Sequence, residues 1–200
     1  MTAISPISFF KSQKSAPLQL VDLSMVSRAG AKGTDTPAWM KAAGLPLPEA
    51  SNTSVRHEGG LVARLAPGEV LLLDNPRAPG SWTQDAMTHL GAGQGLCFPM
   101  PRFDSHAWFT VVGEAAPQMF AKVCGVDLRP KAFADLQIAQ TSVARINAIV
   151  IRDDETFKDK SKFPSYHVLA DWTSARSLWA YLMDAMAEFD GGPVSIADLS

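Results

Sequence analysis

Apolar positions in the C-terminal half recur with the period of a buried helix face. Ala116, Met119, Phe120, Val123 and Cys124 fall at i, i+3, i+4, i+7 and i+8, which predicts an amphipathic helix with Pro117 in its first turn and Gly125 as its stop. From Thr173 to Phe189 the same period returns in Ala175, Leu178, Trp179, Leu182 and Met186, while Arg176, Asp184 and Glu188 can face water. A second helix is therefore expected, ended by Gly191-Gly192-Pro193. Around these helices, the β-rich runs at 107–112, 137–142, 144–151 and 165–170 read as strands.

The N-terminal half carries weaker signals. Residues 1–18 mix Ser, Pro and Lys without periodicity and read as an extended arm. A strand is expected over 18–26. After the RAGAKG segment, Thr36 can cap a short helix opened by Pro37 and closed by Gly44, with Trp39, Met40 and Ala43 on its apolar side. A hairpin follows at 60–65 and 69–74, joined by Ala66-Pro67-Gly68. Ser81 and Gln84 match a capping box ahead of Trp82, Ala86 and Leu90, and a further strand is expected over 96–100. Helices interleave with strands that have hairpin linkers, so the chain predicts an α+β fold with antiparallel or mixed sheets and packed helices. Its expected divisions are an arm at 1–18, an α+β half at 19–100, a second at 101–192, and a tail at 193–200.

Charge removes one class of partner. The chain of 200 residues has 18 Lys plus Arg against 20 Asp plus Glu, so no basic surplus exists to neutralise nucleic-acid phosphates. Its opening lacks a secretory leader's pattern, and no window holds the roughly 18 apolar residues of a membrane span. Those features predict a cytoplasmic chain. Cys97 and Cys124 lie far apart with no CxxC and read as buried thiols.

Few residues assemble into known chemistry. His57, His89, His106 and His167 are scattered without an HxH, HxxxH or HExxH spacing, so no metal site is expected. Ser105 and His106, adjacent on a strand, would point to opposite faces rather than form a dyad. The glycines at 91, 93 and 95 end a helix instead of opening one, unlike a dinucleotide loop. Residues 152–164 carry mixed charge, with Lys158, Lys160 and Lys162 among four acids, and read as a solvated loop open to trypsin. Among the five tryptophans, Trp108 and Trp172 are the least constrained and stand as candidate partner-interface anchors.

From Asp104 onward, the runs DSHAWFTVVGEAAPQMFAKVCGVDLRPKAF, QTSVARINAIVIRDD and YHVLADWTSARSLWAYLMDAM follow one another. Their order resembles the folate-binding fold of the glycine-cleavage aminomethyltransferases. Asp104-Ser105-His106, Gly113 with Ala116, and Val126-Asp127-Leu128 occupy that family's strand start, turn and Asp-Leu segment. A narrower resemblance, to the gamma subunits of heterotetrameric sarcosine oxidases, adds Arg28 to Gly33, Trp39, Pro46, Pro48, Asn52 and the run Pro67 to Leu72.

The resemblance implies two related halves. It also implies larger partner subunits that carry FAD, FMN, NAD and tetrahydrofolate and demethylate sarcosine to glycine. In the folate-binding transferases, a strand with paired aspartates places an acid beside the folate nitrogen. Aligning Arg152 with that strand's basic end puts Ile146 and Asn147 where the aspartates would be, and neither can ionise. No Asp or Glu occurs between Asp135 and Asp153. The expectation is a non-catalytic subunit with no catalytic, cofactor-binding or metal residue of its own. The alternative is a free-standing folate or small-molecule binding protein, with Asp127, His106 or His167 as its chemistry.

Overall fold

The computed structural model describes residues 5–7, 16–58, 60–78, 80, 82–90, 95–154 and 163–198. They form two compact units, Met1–Met25 with His106–Ser200, and Val26–Ser105. This corrects the division expected at residue 100. The segment before Val26 belongs with the C-terminal residues, because its strand pairs there.

The discontinuous unit is built on a mixed six-stranded sheet. Strand β1 (Gln19–Asp22) ends early because the Asp22 carboxylate accepts the N–H of Ser24 and turns the chain, so the strand expected to run to residue 26 is short. The next strand, β2 (Arg28–Lys32), joins the other unit's sheet. Strands β7 (His106–Val112), β8 (Ile138–Val143), β9 (Ile146–Arg152) and β10 (Ser165–Asp171), with the short β11 (Gly192–Pro193), complete the order β11-β1-β7-β10-β9-β8.

Alternation along β7 sends Ala107, Phe109 and Val111 to one face, where helices α3 (Ala116–Val123) and α4 (Ala175–Met186) cover them. Phe109 meets Trp179 edge-on at 5.2 Å, and Phe120 meets Tyr166 at 5.3 Å. The Tyr166 hydroxyl donates to Leu128 O at 2.6 Å, and burial pushes its phenol upward. Helix α3 stops at Val123, one residue short of the expected Cys124, because Cys124 turns extended and bridges Val143.

Described segments from near both termini join this unit. Ile7 is 6% exposed within the core, and Arg176 donates to the carbonyl of Pro6, so part of the expected extended arm is docked. Gly192 and Pro193, expected only to end a helix, pair in parallel with Gln19 and Leu20, and Val194 follows them into the interior.

The contiguous unit has an antiparallel five-stranded sheet. Its strands are β2, β3 (Thr53–His57), β4 (Gly60–Ala66), β5 (Glu69–Leu73) and β6 (Phe98–Pro99), in the order β3-β4-β5-β2-β6. Helices α1 (Thr36–Ala42) and α2 (Trp82–Leu90) complete it, with Trp39, Met40, Val62, Leu72, Ala86 and Leu90 in its core. Asp35, not Thr36, occupies the cap position of α1, and the Thr36 hydroxyl donates instead to Gly68 O at 3.1 Å. Ser81 of the expected capping box lies outside the described residues. Burial resists ionisation of Glu69, but Lys32 at 2.8 Å and Arg102 at 2.6 Å outweigh it and hold the carboxyl below its ordinary range.

Each unit contains a run of strand, helix, three strands, helix: β7-α3-β8-β9-β10-α4 in one and β2-α1-β3-β4-β5-α2 in the other. In each sheet the first strand lies beside the last of the three, and an extra strand pairs on its other side. The first strand of each run is followed by a glycine at φ 147° or 149°, Gly33 or Gly113, and then by a helix with proline in its first turn.

Candidate functional site

Strand register gathers the polar residues at one end of the six-stranded sheet. Asp171, the last residue of β10, is paired with His106, the first of β7. Ala170 is paired with Ala148 on β9, so Asn147 lies one step on, across from Asp171. Alternation puts His106, Asn147, Ile149, Leu169 and Asp171 on the face turned away from α3 and α4. Together with Gln140 and Thr141 they line an open cleft of about 520 Å³. The exposed Asn147 side chain lines this cleft.

A carboxylate thus stands next to Asn147, although its own strand has none. Asp171 caps the 3₁₀ turn Trp172–Ser174, accepting from Thr173 N at 2.8 Å and Thr173 Oγ1 at 2.5 Å. Those two bonds, with a smaller contribution from His106, hold its carboxyl below the ordinary range. General acid–base work favours a group titrating near the working pH, and Asp171 is moved the wrong way. A fixed negative charge can instead attract a cation.

Other candidates fall elsewhere. Ser105 donates its hydroxyl to Pro101 O at 2.7 Å. Trp108, expected as an interface anchor, is 0% exposed and buried in the sheet; it must be struck from the surface candidates. Its indole N–H donates to His167 Nδ1 at 3.0 Å, so the neutral imidazole carries its proton on Nε2, which faces Asp153 Oδ2 at 3.5 Å. With His167 at 1% and Asp153 at 6% exposure, no ligand reaches this line of groups.

Asp127 is gripped by Arg129, whose Nε and Nη2 lie 2.8 and 2.5 Å from its oxygens. Hydrogen bonds from that residue's side chain and backbone pull its carboxyl down to about 2. Trp172 lies half-buried in a 3₁₀ turn ahead of α4, packed against the core. Cys97 and Cys124 are buried thiols. Among the described residues no three of His, Cys, Asp or Glu come together, and no helix is long and apolar enough to cross a membrane. Residues 155–162, which hold Lys158, Lys160 and Lys162, lie outside the described residues, as do those at 91–94.

No protein-family model matches the sequence, and no curated protein matches it. Solved structures do match by fold. The chain is similar over 88% of its length to 87% of a chain from the heterotetrameric sarcosine oxidase of Corynebacterium sp. U-96, solved with pyrrole 2-carboxylate, at TM-score 0.69 and 23% identity. It is also similar over 92% of its length to the glycine cleavage system aminomethyltransferase T from Bartonella henselae, at TM-score 0.64 and 16% identity. The chain spans only 50% of that transferase. At these identities the likeness is one of fold, an aminomethyltransferase-type α+β architecture.

Proposed function

We propose that this chain is the gamma subunit of a heterotetrameric sarcosine oxidase, a subunit that performs no chemistry itself. The observation that carries this reading is the near end-to-end correspondence with a sarcosine oxidase chain, when the transferase is about twice as long. An uncharged amide at Asn147 supports it. In this reading the larger subunits hold FAD, FMN, NAD and tetrahydrofolate and convert sarcosine to glycine, in the cytoplasm. The shared element order of the two units supports a further inference, that they are duplicated halves. Trp172, half-buried, is the remaining tryptophan proposed as a partner contact.

The test is turnover per assembled complex after reconstitution with the larger subunits. Asn147→Ala and His106→Gln are each expected within a few-fold of wild type, whereas loss of a working acid or base costs roughly 10²–10⁴-fold. A drop of that size with assembly intact overturns the non-catalytic reading. Trp172→Ala is expected to lower the recovery of complex without changing turnover per complex.

The cleft beside Asp171 favours one second reading, a free-standing protein that binds folate or another small molecule. Equilibrium dialysis of the isolated chain against tetrahydrofolate separates the two. Saturable binding, abolished by Asp171→Asn, supports the second.

A further inference from the structure

The turn between β8 and β9 combines backbone strain with an unpaired charge. Its two residues, Ala144 and Arg145, both sit at left-handed φ, 50° and 64°, between the paired Val143 and Ile146. Such type I′ hairpins favour Asn-Gly, because a Cβ crowds the following carbonyl there. A sequence selected for stability alone would not place Ala-Arg at this turn. The register is pinned further by Ala144 N–H donating to Val123 O at 2.7 Å.

What the turn presents is an exposed guanidinium on a constrained backbone. Arg145 is exposed and makes no hydrogen bond or ion pair with any described residue. Beside it on α4, Tyr181 is 53% exposed, the largest departure from burial on that helix among its large apolar side chains. The two flank a cleft of about 550 Å³ floored by Ala121, Val123, Cys124 and Gly125. Lys122, also on the rim, is already held by Glu188 at 3.1 Å and by Ala185 O at 3.0 Å. Arg145 therefore supplies the uncompensated charge of the cleft.

We propose that this cleft docks an acidic segment of a partner polypeptide, with a carboxylate on Arg145 and an apolar neighbour against Tyr181 and the small-residue floor. Arginine and tyrosine are the types that concentrate binding energy at interfaces, and a guanidinium matches a carboxylate with two parallel bonds. A rigid turn lowers the ordering cost on binding, which gives the strained backbone a use. The partner's identity, a larger subunit of the oxidase, rests on the function proposed above. The surface itself does not.

The key variant is Arg145→Gly, because it separates structure from docking. It relieves the strain, so its Tm is expected to rise by about 2–4 °C, yet its affinity for the larger subunits is expected to fall roughly tenfold or more. Arg145→Glu should abolish recovery of the complex, and Arg145→Lys should restore part of it. Wild-type-like assembly of Arg145→Glu overturns the docking surface and leaves the subunit reading standing. Failure of the wild type itself to assemble overturns the subunit reading. In that second case the surface is tested independently by NMR titration with a blocked Glu-Glu-Leu-Glu-Glu peptide at low ionic strength. Salt-sensitive shifts confined to residues 121–125, 144–146 and 181, and lost in Arg145→Gly, support the surface; shifts elsewhere, or none, overturn it.

Discussion

A carboxylate takes its character from what it touches, and Asp127 and Asp171 illustrate this with opposite consequences for function. Both are held ionised by neighbours in sequence, Asp127 by Arg129 and Asp171 by Thr173. Asp127 lines a cleft of about 370 Å³ together with the Arg129 that neutralises it, whereas Asp171 shares its cleft with Asn147. Because the Asp127 value is depressed, its favourable contribution is complete above its ordinary 3.8 and is lost as pH falls towards about 2. Carboxyl chemical shifts followed by NMR are expected to place the Asp127 midpoint near 2, and Arg129→Ala should return it towards 3.8. An unchanged midpoint in that variant would show that Arg129 is not the cause. Sequence alone singled out Asn147 and showed its strand to hold no carboxylate. It could not show Asp171, because that residue reaches the site only through cross-strand register.

At the scale of elements, the helices were the legible part. A period of 3.6 survives in α3 and α4 because their buried residues form a single stripe over one sheet. Strand β3, TSVRH, was not anticipated: it is a short polar edge strand whose alternation hides among Thr, Ser, Arg and His. Trp108 was misplaced because alternation on β7 says which face a residue takes and not whether that face is covered.

The glycines after β2 and β7 have a role that composition does not disclose. A Cβ on Gly113 would stand 2.7 Å from Pro17 O, and one on Gly33 would stand 1.9 Å from Leu96 O, both at φ values that L residues avoid. Gly113→Ala is expected to destabilise the protein by roughly 1–3 kcal/mol, and Gly33→Ala by at least as much, measured by urea denaturation. Substitution of the open Gly125, which meets nothing within 4 Å, serves as the contrasting control.

For the whole molecule, the main surprise is connectivity. The α+β class, the helices and the β4–β5 hairpin follow from local pattern, but the assignment of β1 depends on a partner strand far along the chain. Leu18 and Leu20, each 0% exposed, lie in the core of the unit completed by residues 106–200. Burying two such side chains contributes roughly 3–6 kcal/mol, a large share of the about 5–15 kcal/mol that holds a domain together. The fragment 106–200 is therefore expected to lack a cooperative thermal transition, and a peptide of residues 16–25 added in trans should restore one. A cooperative transition in the fragment alone would show that β1 is dispensable.

The same connectivity orders events on the ribosome. Strand β1 leaves the exit tunnel well before β7, and the Ser24 hydroxyl must wait for the backbone of Trp108, 84 residues later, to emerge. Meanwhile the contiguous unit can close its own sheet, since β2 to β6 are all synthesised by residue 105. For that interval the nascent chain carries a folded unit behind an unpaired apolar strand, the state in which chaperone binding or pairing with another chain competes with native closure. Slow elongation between residues 26 and 105 would prolong this exposure, whereas slowing after β7 has emerged would give β1 time to find its place.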